Sequence, residues 1–357
     1  MMRCSNFAYR APSTIAEVVA ILEAEGPRAM VLAGGTDLVP NMKRRQQTPA
    51  VLVSLRRVAA LRALIVDGKG ASIGAGCTLA AIAGNPRLSP WSALVRAAGS
   101  VATPHIRNSG TIGGNLCLDT RCNYYDQGPE WRRAIGFCMK RGDVPAPGIG
   151  WPTKNEGQVC WVAPGSPRCW AVSSTDSAPA LIALGAEVEL LSAGGARTLP
   201  VAELYRDDGI DYLAKRRDEL LSAVRLPDAT GWRSTYWKLR RREAFDFPVL
   251  GVAAAVKLAA DGTVEAARLA LGAVASRPVA VDASRLVGTR LADEAIGALA
   301  ELAAQLAKPL DNTDFQLGWR KRMAKAYVTG ALRELRGDDQ VALGVHARRA
   351  AALRPIE

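Results

Sequence analysis

Five of the seven cysteines fall between Cys117 and Cys169, in a stretch that cannot supply much core of its own. It opens with TPHIRNSGTIGGNLC, is interrupted by PAPGIGWP and APGSP, and closes with SSTDSAPAL. A long loop without regular structure inside a compact domain has to be tied down by something. The thiols are the obvious candidates. Cys122, Cys138, Cys160 and Cys169 are spaced C-x15-C-x21-C-x8-C. Ferredoxin runs place their first ligands two to four residues apart, and structural zinc sites carry at least one close cysteine pair. The spacing matches neither, so a metal cluster, a zinc ion and non-ligand thiols all stay open. An odd number of cysteines in a chain of 357 residues does not read as a secreted disulfide framework. Reduced thiols in the cytoplasm fit better. Cys4 and Cys77 read as small apolar fillers.

Two glycine clusters precede the five clustered cysteines. In AMVLAGGTDL an apolar run enters Gly34, Gly35 and Thr36, where successive N–H groups and a hydroxyl can meet an anion. It is neither a Rossmann fingerprint nor a P-loop. TIGGN, residues 111–115, is the second. Each alone reads as a turn; two in one domain suit a dinucleotide. The two histidines, His105 and His346, are too few for a histidine metal site or a catalytic triad. The net charge of +12 is spread along the chain and comes with no zinc-finger, RNP or basic-helix motif. It therefore favours an acidic protein partner over nucleic acid. No apolar run reaches the ~18 residues of a membrane span, and MMRCSNFAYR lacks the apolar core of an export signal.

The pattern predicts an α+β organisation. Residues 13–25 form a helix, with Thr14 and Glu17 as a capping box and Ile15, Val18, Val19 and Leu22 on one face. Strands are expected at 29–33, 50–55, 71–76, around Ala186–Leu190 and at 219–226, with helices in CTLAAIAG, WSALVRAAGSV and PALIALG. Residues 228–232 read as a linker. Beyond them STYWKLRRRE, VLGVAAAVKL and VEAARLALGAVASRP predict a three-stranded sheet, followed by helices near 292–306 and 312–335.

VLAGGTDL, TIGGN, the Asp of SSTDSAPAL, DELLSAVRLP and the YWK of STYWK occur in one order over nearly the whole chain. Together they resemble the FAD-carrying medium subunit of the xanthine dehydrogenase family of molybdenum enzymes. The resemblance implies a two-part FAD-binding domain of the vanillyl-alcohol-oxidase (PCMH) type over 1–227. Its subdomains span about 1–58 and 59–227, with an insertion at about 117–172. A smaller C-terminal domain spans 233–340, and 341–357 is a tail. It also implies that Val31, Leu32, Ala33, Gly34, Gly35, Thr36, Asp37 and Leu38 wrap the FAD pyrophosphate. Thr111, Ile112, Gly113, Gly114 and Asn115 would close on it, with Thr103 in the same set. Asp176, Leu220 and Lys238 would stand near the rest of the flavin, Lys238 as a cation favouring its anionic reduced form.

The insertion is similar to that in the β subunit of 4-hydroxybenzoyl-CoA reductase, which carries a [4Fe-4S] cluster on four cysteines. GNLCLDTRCNYYDQ, GFCMK, CWVAP, SPRCWA and REAFDFPVLGVAAA carry that likeness. It implies Cys122, Cys138, Cys160 and Cys169 as ligands and leaves Cys117 to the flavin loop. The stretch KRGDVPAPGIGWPTKNEGQV is the departure, being longer here. The resemblance thus implies a cytoplasmic electron-transfer subunit holding FAD and the cluster, with no catalytic residue of its own. Its partners would be a molybdopterin large subunit, a [2Fe-2S] small subunit and ferredoxin or another soluble carrier, with no nucleic acid and no membrane. The whole complex would dehydroxylate 4-hydroxybenzoyl-CoA to benzoyl-CoA. Three rival readings are a related molybdenum hydroxylase oxidising an aldehyde or N-heterocycle, a stand-alone flavin oxidase with a structural metal loop, and a zinc-holding binding module.

Overall fold

The computed structural model describes residues 3–141, 157–242, 244–313 and 315–339. The expected tail, His346 and residues 142–156 of the Cys138–Cys160 stretch lie outside them.

The chain opens with β1 (Ala8–Arg10), α1 (Ile15–Glu25), β2 (Ala29–Leu32), α2 (Leu38–Lys43) and β3 (Val51–Ser54). The three strands form a parallel sheet in the order β1-β3-β2. The capping box forms as expected. Thr14 Oγ1 accepts the Glu17 N–H at 3.2 Å, and the Glu17 carboxylate accepts the Ser13 and Thr14 N–H groups. Val18, Val19 and Leu22 then bury against Val51 and Val53.

The second sheet is antiparallel, in the order β4-β5-β8-β6-β7. It is built from β4 (Leu64–Asp67), β5 (Gly70–Gly74), β6 (Glu187–Ser192), β7 (Gly195–Pro200) and β8 (Leu220–Pro227). Between β5 and β6 run α3 (Leu79–Ala83), α4 (Ser92–Ser100), α5 (Pro104–Ser109), α6 (Ile112–Leu116), α7 (Pro129–Ala134) and α8 (Ser177–Ala183). Ile73, Ile82, Leu94, Leu181, Val188 and Val224 centre its core.

The C-terminal sheet has four strands, not the expected three: β9 (Trp232–Leu239), β10 (Leu250–Leu258), β11 (Val264–Gly272) and β12 (Val279–Val281). β12 spans three residues and leaves no readable alternation. The expected linker ends a residue early, because Trp232 already pairs with Lys257. β10 is buried on both faces: Ala253 and Ala255 face the second sheet's core, while Val252, Ala254 and Val256 face α9 (Asp293–Leu306) and α10 (Leu317–Arg336). That explains its unbroken apolar sequence. No helix among the described residues is long and apolar enough to cross a membrane.

Candidate functional site

β2 delivers the chain to the first glycine cluster. A Cβ on Gly34 would lie 2.0 Å from the Ser109 carbonyl oxygen. Only glycine therefore lets this turn press against the end of α5. Gly35 follows with φ +73°, a left-handed conformation that suits glycine. The N–H groups of Gly34, Gly35 and Thr36 meet no acceptor among the described residues, although Val31–Leu38 is only half-exposed. Consecutive unused amides on a close-packed turn suit a diphosphate.

The second cluster is built differently. Thr111 caps α6, its Oγ1 accepting the Gly114 N–H at 3.1 Å. Ile112 donates to Cys77 O at 2.9 Å, Gly113 to Ala75 O at 2.9 Å and Asn115 to Thr111 O at 2.9 Å. These amides are all used within the protein. A Cβ on Gly113 would stand 2.7 Å from that of Ala75, so the glycine serves close packing. Asn115 Oδ1 accepts the Thr175 hydroxyl at 2.8 Å and the Ser177 N–H at 3.1 Å, which ties α6 to α8. Thr103 caps α5. The first turn thus packs on Ser109 and Gly110, just before the 111–115 segment, and the free donors lie in residues 34–36. His105 is exposed on α5.

Asp176 and Lys238 meet in the interior, where α8 abuts the C-terminal sheet. Lys238 Nζ donates to Asp176 Oδ2, to Ser100 O and to Asp246 O, each at 3.1 Å. Tyr236 donates its hydroxyl to Asp176 Oδ1 at 2.8 Å. Burial lowers the Lys238 pKa, with Asp176 opposing, and raises that of Tyr236, with Asp176 adding to the effect. All three ammonium protons have acceptors, so the pair also fastens the two domains together. Leu220 lies on β8 in the apolar cluster with Val18, Leu22 and Val53.

The four cysteines of the insertion are all buried, reduced thiols. Cys122, Cys138 and Cys169 share a small cluster with Tyr125 and Ala171. Cys160 joins them electrostatically, raising the pKa of both Cys138 and Cys169. Burial pushes the Cys122 thiol up to about 12 and Cys169 to about 11, and the neighbouring thiols add to the shift. The Cys169 sulfur accepts the Ala171 N–H at 3.4 Å, and the backbone N–H groups of Tyr124 and Lys140 act in favour of the thiolates of Cys122 and Cys138. Cys117 sits apart, beside Tyr205, Tyr212 and Lys215. Among the described residues no three His, Cys, Asp or Glu side chains group closely enough to hold a single metal ion.

The insertion is anchored by residues that were not singled out from the sequence. Arg121 and Val172 exchange backbone hydrogen bonds of 2.8 and 2.7 Å across its base. Arg121 also pairs with Asp37 of the first glycine turn and donates to Asn41 Oδ1 at 3.3 Å. Arg132, buried, donates to Arg44 O at 2.9 Å, Arg45 O at 3.1 Å and Arg141 O at 3.0 Å. Gln46 and Tyr125 exchange hydrogen bonds of 2.6 and 3.1 Å. Lys140 pairs with Asp119 at 2.6 Å. Their one sequence signal was proximity to the cysteines in a stretch too irregular to need so many charges.

A family model described as the FAD binding domain in molybdopterin dehydrogenase matches residues 5–229. One described as the CO dehydrogenase flavoprotein C-terminal domain matches 234–335. An aldehyde oxidoreductase FAD-binding subunit of Escherichia coli strain K12 is 31% identical over 284 residues, 78% of this chain and 84% of that one. The carbon monoxide dehydrogenase medium chain of Afipia carboxidovorans is 31% identical over 324 residues, 89% of this chain and 93% of its own length. A chain of the crystal structure of the Cu,Mo-CO dehydrogenase in its cyanide-inactivated form superposes with a TM-score of 0.73 at 27% identity, covering 94% of this chain and 99% of that one.

Proposed function

The chain belongs to the FAD-binding medium-subunit family of the molybdenum hydroxylases, and from that premise we propose that it is a relay subunit holding FAD and a [4Fe-4S] cluster. It is a flavoprotein component of an oxidoreductase. The free amides of Gly34, Gly35 and Thr36 suit the FAD diphosphate. The observation that carries the cluster is the buried thiol quartet. Four thiolates are the ligand set such a cluster takes, and Cys122, Cys138 and Cys169 share one buried cluster of side chains. Backbone N–H groups favour the thiolate form of these three and tune such a centre. When bound, the flavin supplies two-electron and the cluster one-electron chemistry. The chain's own residues hold, orient and shield both.

The finer reading is the subunit of a cytoplasmic 4-hydroxybenzoyl-CoA reductase. Ferredoxin would be the donor, with molybdopterin and [2Fe-2S] subunits as partners. The cysteine quartet supports it. A second reading, an oxidative aldehyde or N-heterocycle dehydrogenase, is favoured by the relatives named for aldehyde and carbon monoxide oxidation. Anaerobic purification followed by iron, sulfide and FAD analysis tests the cofactors. About four irons per FAD supports the relay, and iron-free protein refutes the cluster. The assembled complex, assayed for 4-hydroxybenzoyl-CoA reduction by reduced ferredoxin and for aldehyde oxidation, decides between the two directions.

A further inference from the structure

A groove of about 420 Å³ opens where α8 meets β11 and β12, between the two domains. Ile182, Ala266, Ala267, Ala283 and Val287 give it apolar walls. Arg268 stands at its mouth. This residue lies on β11 opposite Ala255 of β10. Opposed residues of an antiparallel pair share a face, so its side chain leaves the sheet on the α8 side. The guanidinium carbon is 4.4 Å from the ring centre of Trp232. Gly185, just past α8 and at φ +70°, makes room for it: a Cβ there would lie 2.6 Å from Nη1 and 2.9 Å from Cζ. Among the described residues Arg268 has neither a hydrogen-bond acceptor nor an ion-pair partner, and burial alone lowers its pKa. The two acids of the groove are already engaged. Glu265 pairs with Lys257 at 3.1 Å, and Asp282 accepts the Ser284 N–H at 2.9 Å.

We propose that this groove binds a small organic monocarboxylate with an apolar body, anchored by Arg268. A guanidinium held against an aromatic ring is fixed in orientation and keeps its N–H edge for a planar partner. A carboxylate matches that edge with two parallel hydrogen bonds. The charge balance of the groove argues for one negative charge. Arg268 is the cation left without an anion, while Glu265 and Asp282 at the rim would repel a dianion such as phosphate. The walls argue for an apolar body, because Ile182, Ala266 and Val287 offer a ligand no polar side chain and gain by being covered. A free surface arginine would need none of this setting. Here Trp232 supports the head, Gly185 clears space for it, and an apolar recess lies beside it. The site is separate from the glycine turn and from the cysteine loop, and it depends on neither cofactor assignment.

The test titrates the full chain, as purified, with benzoate as the probe and follows binding by ligand-observed NMR. Wild-type protein should bind benzoate saturably. Arg268→Met should weaken binding at least about tenfold, the loss expected for one charge-assisted bidentate pair. Benzyl alcohol, which keeps the ring without the charge, and inorganic phosphate, which keeps charge without the ring, should each bind at least about tenfold more weakly than benzoate. Should Arg268→Met fail to fold, Ala266→Glu carries the test: it places a carboxylate on the same strand face two residues from Arg268 and should abolish binding. Absence of saturable binding to the wild type overturns the proposal. So does undiminished benzoate affinity in Arg268→Met or Ala266→Glu, which would put the ligand elsewhere. Benzyl alcohol binding as well as benzoate would leave only an apolar recess, and phosphate binding as well would leave only an anion site; either result overturns it too.

Discussion

Replacing Asp176 by Asn tests whether the inner ion pair is a structural lock. In the native protein Lys238 has a side chain 0% exposed and Asp176 one 3% exposed. The substitution preserves shape and leaves an acceptor for the Tyr236 hydroxyl. It also leaves the ammonium buried with only the carbonyls of Ser100 and Asp246. An uncompensated charge of this kind costs about 3–5 kcal/mol. For a chain of this size that corresponds to a fall in melting temperature of roughly 5–15 °C. Lys238→Met should cost a similar amount, because it strands the carboxylate. The double variant should be less damaged than the sum, by at least about 2 kcal/mol, since neither charge is then left alone. Urea unfolding of the four proteins, followed by tryptophan fluorescence, gives the cycle. Single variants within about 1 kcal/mol of wild type, or strictly additive effects, would refute the lock.

Gly34→Ala should cost at least about 1–3 kcal/mol and release much of the FAD, because backbone atoms must move to clear the Ser109 oxygen; wild-type flavin content after gel filtration would count against the close-packed turn. Alanine at Cys122, Cys138, Cys160 or Cys169 should deplete iron while most FAD stays bound, and Cys117→Ala should leave iron intact; equal iron loss at Cys117 would contradict the ligand set. Glu219 has its carboxylate held below the usual range: burial alone would raise it, but Arg197, the Arg216 N–H and the Arg216 guanidinium outweigh that. With a depressed folded pKa, its stabilisation is full above the ordinary value near 4.5 and is lost as pH falls through the folded pKa. Glu219→Gln should therefore lower stability at pH 7 and flatten the acid limb of the profile below the ordinary value near 4.5; an unchanged pH profile of the melting temperature would dismiss it.

Elements with a strong period were legible in the sequence. The first helix announced itself through Thr14, Glu17 and its apolar face, and α9 through its spacing, because both bury one stripe against a sheet. β12 and β1 were not legible, since each spans three residues and is a strand only through its neighbour. β7 is mostly exposed and so carries no apolar alternation; it exists because a tight turn folds it back on β6. At the site, Gly34 could be named from its setting, yet its reason lies 75 positions away at Ser109, beyond any local pattern. TIGGN looked like a second anion loop because sequence shows glycines but not where their N–H groups go. Only the structure shows those amides committed to Ala75, Cys77 and Thr111.

The same long-range logic explains how the fold carries an insertion of this kind. The cysteine loop is not an appendage on a finished flavin domain. Its base is closed by the Arg121–Val172 pairing, and it rests on the segment that follows the glycine turn. Asp37 and Asn41 take Arg121, the carbonyls of Arg44 and Arg45 take Arg132, and Gln46 exchanges hydrogen bonds with Tyr125. Each contact satisfies a buried polar group that would otherwise be costly on one side or the other. The glycine turn sets the position of Asp37 and hence of Arg121, the residue next to Cys122. A displacement of the turn therefore reaches Arg121, and with it the neighbouring Cys122, through one ion pair.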